Sequence, residues 1–207
     1  SFCLIMKKIL CFGDSNVFGF NPINGLRFAK NIRFSGILSE YFLDKHIEIF
    51  ENGMNNRTCF SLNQDENLVG KFVLNKMNLI DYTDIILCLG INDLQFQYNN
   101  SLEDFKNGLD EFVDLIMKKK NDINILFLIP NEINNNILNT FFKNLFNESS
   151  IEKSKSIAEI YKTISEKYNC KYVELSKIAQ ISNIDSLHYD EENHKKIAKY
   201  LIDYYLK

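Results

Sequence analysis

The chain has 207 residues, 45% of them apolar, with a formal net charge of −3 and a pI near 5.7. That length supports one sizeable core and gives little reason to divide it, so a single domain over residues 1–207 is expected. Lys and Arg are scattered among Asp and Glu rather than gathered into a basic stripe, which argues against nucleic acid as a partner, and no run approaches the roughly eighteen apolar residues of a membrane span.

Residues 8–12 form an apolar strand-like run that stops at Gly13-Asp14-Ser15, and an Asn-, Gly- and Pro-rich loop over 16–25 follows. Helical spacing resumes over 32–43. Residues 46–50 alternate like a strand up to Glu51-Asn52-Gly53, and 68–77 has helix spacing. Residues 84–89 form a continuous run broken at Gly90, as suits a strand buried on both faces. Residues 102–117 carry apolar side chains at helical intervals behind Ser101, an N-cap with Asp104 three residues on. A fourth strand over 124–129 closes at Pro130, and the Asn-rich stretch 131–150 has only weak helix spacing. Residues 151–168 read as helix, 171–174 as a short fifth strand and 191–206 as a closing helix.

Short buried strands alternating with amphipathic helices imply a parallel sheet covered on both faces, because each right-handed crossover lays its helix on one side. The expected fold is therefore α/β: a three-layer α/β/α sandwich with a five-stranded sheet in the flavodoxin-like order 2-1-3-4-5. The loops after strands one, two and three, and the loop before the last helix, then emerge along one edge.

Those loops are Gly13-Asp14-Ser15, Gly53-Met54-Asn55-Asn56-Arg57-Thr58, Gly90-Ile91-Asn92-Asp93 and Asp185-Ser186-Leu187-His188. Acyl transfer needs a nucleophile, a base, a group that orients the base, and donors for the developing oxyanion. Ser15 supplies the nucleophile, His188 the base and Asp185 the orienting carboxylate. The Ser15 N–H, an N–H at Asn56 and the neutral amide of Asn92 supply the donors. Asp14 suits bracing its own loop and Asp93 capping the following turn, while Gly53 and Gly90 end strands. Taken singly, each of these loops is an ordinary turn; four in this order, along one predicted edge, point to chemistry.

In that order the four loops resemble blocks I, II, III and V of the SGNH, or GDSL, hydrolase superfamily, over residues 9–198. Residues 9–19, 51–58, 89–95 and 185–198 resemble its arylesterase and acyltransferase branch, with Arg33-Phe34 at the first helix and Lys155-Ser156 with Tyr161 as supporting similarities. The resemblance implies Ser15, Asp185 and His188 as triad, with Asn92 and the amides of Ser15 and block II as oxyanion donors. Asn16 stands where the common motif has Leu, Asn56 where many members have a glycine, and the segment 130–150 does not resemble the proline-rich loop usual in the branch.

The expected activity is that of a serine esterase or acylhydrolase acting on short acyl esters of small substrates, without metal or cofactor. An acyltransferase or carbohydrate O-deacetylase would use the same residues, and a non-enzymatic flavodoxin-like binding module is the reading from another class. Phe141-Phe142 suit an acyl pocket or core packing, Arg57 an anionic substrate group or a tie between loops, and His46 and His194 structural or solvent-facing positions. Five cysteines are an odd number without close pairing, and Cys11, Cys88 and Cys170 fall in strand-like runs, which favours buried thiols and a reducing, cytoplasmic setting. Met6-Lys7-Lys8 ahead of a short apolar run lacks the features of a secretory signal, and residues 1–5 read as an extension or remnant ahead of a start at Met6. A homo-oligomer is compatible with all of this.

Overall fold

The computed structural model describes residues 6–207; residues 1–5, read above as an extension or remnant, lie outside them. Five strands, β1 (Lys7–Gly13), β2 (Ile47–Gly53), β3 (Asp84–Cys88), β4 (Asn124–Ile129) and β5 (Lys171–Glu174), pair in parallel in the order β2-β1-β3-β4-β5. This is the expected order.

Strand side chains alternate between faces, and the buried residues divide accordingly. Ile9, Cys11, Ile86, Cys88, Leu126 and Leu128 face one layer, where α2 (Phe34–Phe42) contributes Phe34, Leu38 and Phe42 and α7 (Glu191–Leu206) contributes Ile197 and Leu201. Leu10, Phe12, Ile85, Leu87, Ile125 and Phe127 face the other, packing with Leu74 of α3 (Gly70–Lys76), Phe105 and Phe112 of α4 (Leu102–Lys119) and Tyr161 of α6 (Ile157–Tyr168). At the start of α4, Ser101 and Asp104 form the reciprocal capping box that their spacing implies.

Three local features differ from the reading of the sequence. The helix expected over 151–168 is two helices, α5 (Glu148–Ser154) and α6. At the break, Ser154 Oγ donates back to Ile151 O (2.7 Å) and accepts from Ile133 N (3.0 Å), the local competition through which serine interrupts helices. Upstream, 3-10 turns occupy Asn135–Asn139 and Phe141–Asn144, each capped by the preceding polar side chain, Asn134 or Thr140. His46 does not open β2; it adopts a left-handed φ of 60° one residue before Ile47.

His194 is structural: fully buried, it accepts the Phe34 N–H at Nδ1 (3.1 Å) and so caps α2. Cys11, Cys59 and Cys88 are buried free thiols, and Cys170 is half-buried just before β5 rather than inside a strand. Among the described residues no helix is long and apolar enough to cross a membrane.

Candidate active site

The carboxyl ends of the first three strands are level. Gly13, the last residue of β1, pairs with Gly53 on one side and Cys88 on the other, so the loops after β1, β2 and β3 leave the sheet side by side. Two glycines permit the crowding. A Cβ on Gly53 would lie 2.2 Å from the Phe18 N of α1 (Ser15–Phe18), and one on Gly90, at a φ of +121°, would lie 2.0 Å from Tyr161 Oη.

Asp14 caps α1, accepting the Asn16 N–H at 3.0 Å, and Ser15 opens the helix. Ser15 Oγ lies 2.7 Å from His188 Nε2, although the two residues are 173 positions apart. His188 Nδ1 donates to Asp185 Oδ2 at 2.6 Å, and Asp185 Oδ1 accepts the N–H groups of Leu187 and His188, each at 3.0 Å. The intervening Ser186, at a φ of 61°, makes the sharp turn that lets Asp185 bond its own loop and the imidazole together. All three side chains are buried. With its proton on Nδ1, the ring presents an unprotonated Nε2 to the Ser15 hydroxyl, which can then be deprotonated as it attacks.

The remaining predicted residues converge on the same spot. Asn92, in the turn Ile91–Leu94, donates one Nδ2 hydrogen to Arg57 O (3.0 Å) and accepts Gln95 Nε2 at Oδ1 (3.1 Å). Asn56 takes a left-handed φ of 64°, and its Oδ1 accepts the same Gln95 Nε2 at 2.7 Å. Arg57 ties loops together: Nη1 donates to Gly13 O, Asn52 O and Asn52 Oδ1, and burial brings the guanidinium down to about 10. Its charge is spent inside the protein rather than on a substrate group.

Asp93 does not cap the following turn, Phe96–Tyr98, which has no side-chain cap. It reaches across to the segment after β2, accepting the N–H groups of Cys59 (2.6 Å), Phe60 (3.1 Å) and Ser61 (2.9 Å) and the Ser61 hydroxyl (2.7 Å). Burial pushes its carboxyl up while those bonds hold it down.

Ser15, Asn56, Asn92 and His188 border a cavity of about 120 Å³ whose other walls include Phe20, Phe142, Leu145 and Leu187. The Phe20 ring lies 4.2 Å from the imidazole, centroid to centroid, and that of Phe142 5.5 Å. Of the aromatic pair singled out in the sequence, Phe142 lines the cavity and Phe141 is 75% exposed. Phe20 and Gln95 escaped the sequence reading. Phe20 sits in a polar loop, and Gln95 three residues beyond Asn92 carries no motif; only three-residue spacing on a turn could have flagged it. Asn16, at the departure from the common motif, faces a separate small cavity beside Asn131 and Tyr189.

Burial pushes the Asp14 carboxyl from its ordinary value of 3.8 up to about 7, against the Asn16 N–H and the Arg57 charge, which favour ionisation. The folded protein therefore holds a proton that the unfolded chain releases. Stability attributable to Asp14 falls as pH rises from about 4 to about 7, at up to about 1.4 kcal/mol per pH unit. Asp14→Asn keeps an acceptor for the Asn16 N–H and cannot ionise, so its stability relative to wild type should climb between pH 5 and pH 7.5 in urea titrations. An equal difference at both pH values would contradict this assignment.

The parallel 2-1-3-4-5 sheet, with Ser15, His188 and Asp185 hydrogen-bonded in series at its carboxyl edge, has the fold of the SGNH hydrolases. The chain belongs to the GDSL-like lipase/acylhydrolase family, whose sequence model matches residues 9–201. It is similar in structure to a carbohydrate acetylesterase family member from Sinorhizobium meliloti, at 23% identity and a TM-score of 0.84 with 95% of each chain covered. It is also similar to the aryl esterase of M. smegmatis, at 22% identity and a TM-score of 0.83 with 95% of this chain and 97% of that one covered. A lipase/acylhydrolase from Enterococcus faecalis shares 15% identity at a TM-score of 0.69, covering 96% of this chain and 94% of that one. No curated protein sequence matches the chain. Family and fold together support an ester-hydrolysing enzyme.

Proposed function

We propose that the protein is a serine esterase that cleaves short-chain acyl esters of small substrates through an acyl-enzyme on Ser15. The observation that carries this reading is the 2.7 Å contact of Ser15 Oγ with an imidazole held at 2.6 Å by Asp185, on the wall of a small apolar cavity. Ser15 Oγ attacks the ester carbonyl carbon and its proton passes to His188 Nε2. Asp185 holds the ring in the required tautomer and stabilises the imidazolium. The negative charge that develops on the carbonyl oxygen is met by the Ser15 N–H, free of an intrahelical acceptor in the first turn of α1, by the Asn56 N–H and by the second Nδ2 hydrogen of Asn92. Collapse expels the alcohol with the proton from His188, and water, deprotonated by the same imidazole, releases the acid.

Asn92→Ala should lower kcat roughly 10² to 10³-fold, the loss measured for single oxyanion donors, with a smaller change in KM. A cavity of about 150 Å³ holds a benzene ring, so about 120 Å³ accommodates an acyl group of a few carbons. Phe142→Ala should accordingly move the optimum along a series of p-nitrophenyl esters from acetate or butyrate toward longer acyl groups; an unchanged profile would remove Phe142 as the wall. The test of the reading as a whole is labelling with a fluorophosphonate and mapping the adduct, expected on Ser15, together with turnover of the same esters. The aromatic rings of Phe20 and Phe142 beside the imidazole also offer an apolar surface to an organic alcohol in place of water, and new ester formed in the presence of added alcohol would identify acyl transfer.

A further inference from the structure

We infer that Gln95 is a positioning residue that aims two oxyanion donors at once, an inference that rests on the esterase reading above. Gln95 is 1% exposed, and its single Nε2 group donates to Asn92 Oδ1 at 3.1 Å and to Asn56 Oδ1 at 2.7 Å. Its Oε1 accepts Gln97 Nε2 at 2.6 Å, which fixes which end of the amide faces the two asparagines.

The consequence for Asn92 follows from the planarity of an amide. Its Oδ1 is bound to Gln95 and one of its two Nδ2 hydrogens to Arg57 O, so the plane is set and the second hydrogen is left for the cavity shared with Ser15. Without the Gln95 donor, only the bond to Arg57 O opposes a half-turn that would set Oδ1, an acceptor, toward the place where negative charge develops. For Asn56 the effect runs through the backbone. A non-glycine residue at a φ of 64° is strained, and the bond from Gln95 to its side chain favours that conformation and so the direction of the adjoining N–H. Asn56 stands where many members of the superfamily have a glycine, and Gln95 supplies the restraint that lets an asparagine occupy the position.

The role requires a neutral donor. A carboxylate there would confront two amide oxygens, and an apolar side chain of equal length would leave the Asn56 side chain without this partner and the Asn92 amide held by Arg57 O alone. The test is a cycle of kcat and KM for p-nitrophenyl acetate on wild type, Gln95→Met, Asn92→Ala and the double variant, with Ser15→Ala as reference and thermal unfolding of each. Gln95→Met keeps length and volume, and should cut kcat about 10- to 30-fold with KM nearly unchanged, a part of the loss expected for a whole oxyanion donor. In the Asn92→Ala background the same change should cost about 3-fold or less, because one of its two targets is gone. Wild-type kcat in Gln95→Met, or an equal loss in both backgrounds, overturns the inference.

Should Gln95→Met fail to fold, Gln95→Glu retains the bond from Gln97 and replaces the variant in the cycle. Its kcat should then fall further with rising pH as the carboxyl ionises and ceases to donate, and a pH profile parallel to wild type overturns the inference. Ester turnover surviving in Ser15→Ala removes the esterase reading and this inference with it. Turnover lost in Ser15→Ala but untouched in Gln95→Met removes the inference alone.

Discussion

Ser15→Ala should lose p-nitrophenyl acetate turnover by on the order of 10⁴-fold or more, and His188→Ala by a similar factor, because nucleophile and base act as one unit. Both groups are fixed by their local surroundings. Ser15 is held at the first turn of α1 by the Asp14 cap, and His188 by two bonds within its own loop through Asp185, so neither can be replaced by a neighbouring side chain in the same geometry. The alanine variant removes one hydroxyl and leaves the cap, the strand and the glycine contacts in place. Its melting temperature should therefore stay near that of wild type, and the loss can be read as chemistry. Fluorophosphonate labelling should vanish in the same variant. Substantial turnover by purified Ser15→Ala would end the acyl-enzyme proposal.

Asp93→Ala should be the most damaging single change to stability outside the hydrophobic core, at about 3–5 kcal/mol in urea unfolding at pH 7. The carboxylate takes three backbone N–H groups and one hydroxyl from residues 59–61, all buried. Each donor stranded without water or acceptor costs about 1–3 kcal/mol, and the sum is reduced by whatever relaxation lets solvent in. Asp93→Asn, which keeps one acceptor oxygen, should fall between alanine and wild type. A loss below about 1 kcal/mol for Asp93→Ala would mean that the 59–61 segment finds other acceptors.

The strands, their order and the convergence of four loops were legible because they depend on signals local in sequence. Apolar runs ending at Gly13, Gly53 and Gly90 mark strand ends, and parallel βα alternation places all of those ends on one edge. Ser15, Asp185, His188 and Asn92 met for that reason alone. What escaped the sequence were interactions whose partner is chosen by the fold. Asp93 looked like a cap for the following turn, since an acid just ahead of a turn is well placed for that, and only the packing of the segment after β2 offers it three better donors. Gln95 resembles any polar turn residue until Asn56 is folded against it. The break at Ser154 carries no Gly or Pro, and depends on a serine hydroxyl claimed by Ile133 from a loop more than a helix length away in sequence.

The loop holding Asp185 and His188 is braced largely from within, with Asn136 donating from outside to Asn183 O (2.8 Å) and Ser186 Oγ (3.2 Å). Asp185 bonds two N–H groups of its own turn and the imidazole, and Ser182 N donates to His188 O at 2.7 Å, so acid and base keep their mutual geometry without help from the sheet. A problem of three bodies thereby becomes a problem of one coordinate, the seating of residues 182–188 against α1. A change in the cavity walls at Phe20 or Phe142, which lie outside residues 182–188, therefore leaves the bonds between Asp185 and His188 in place.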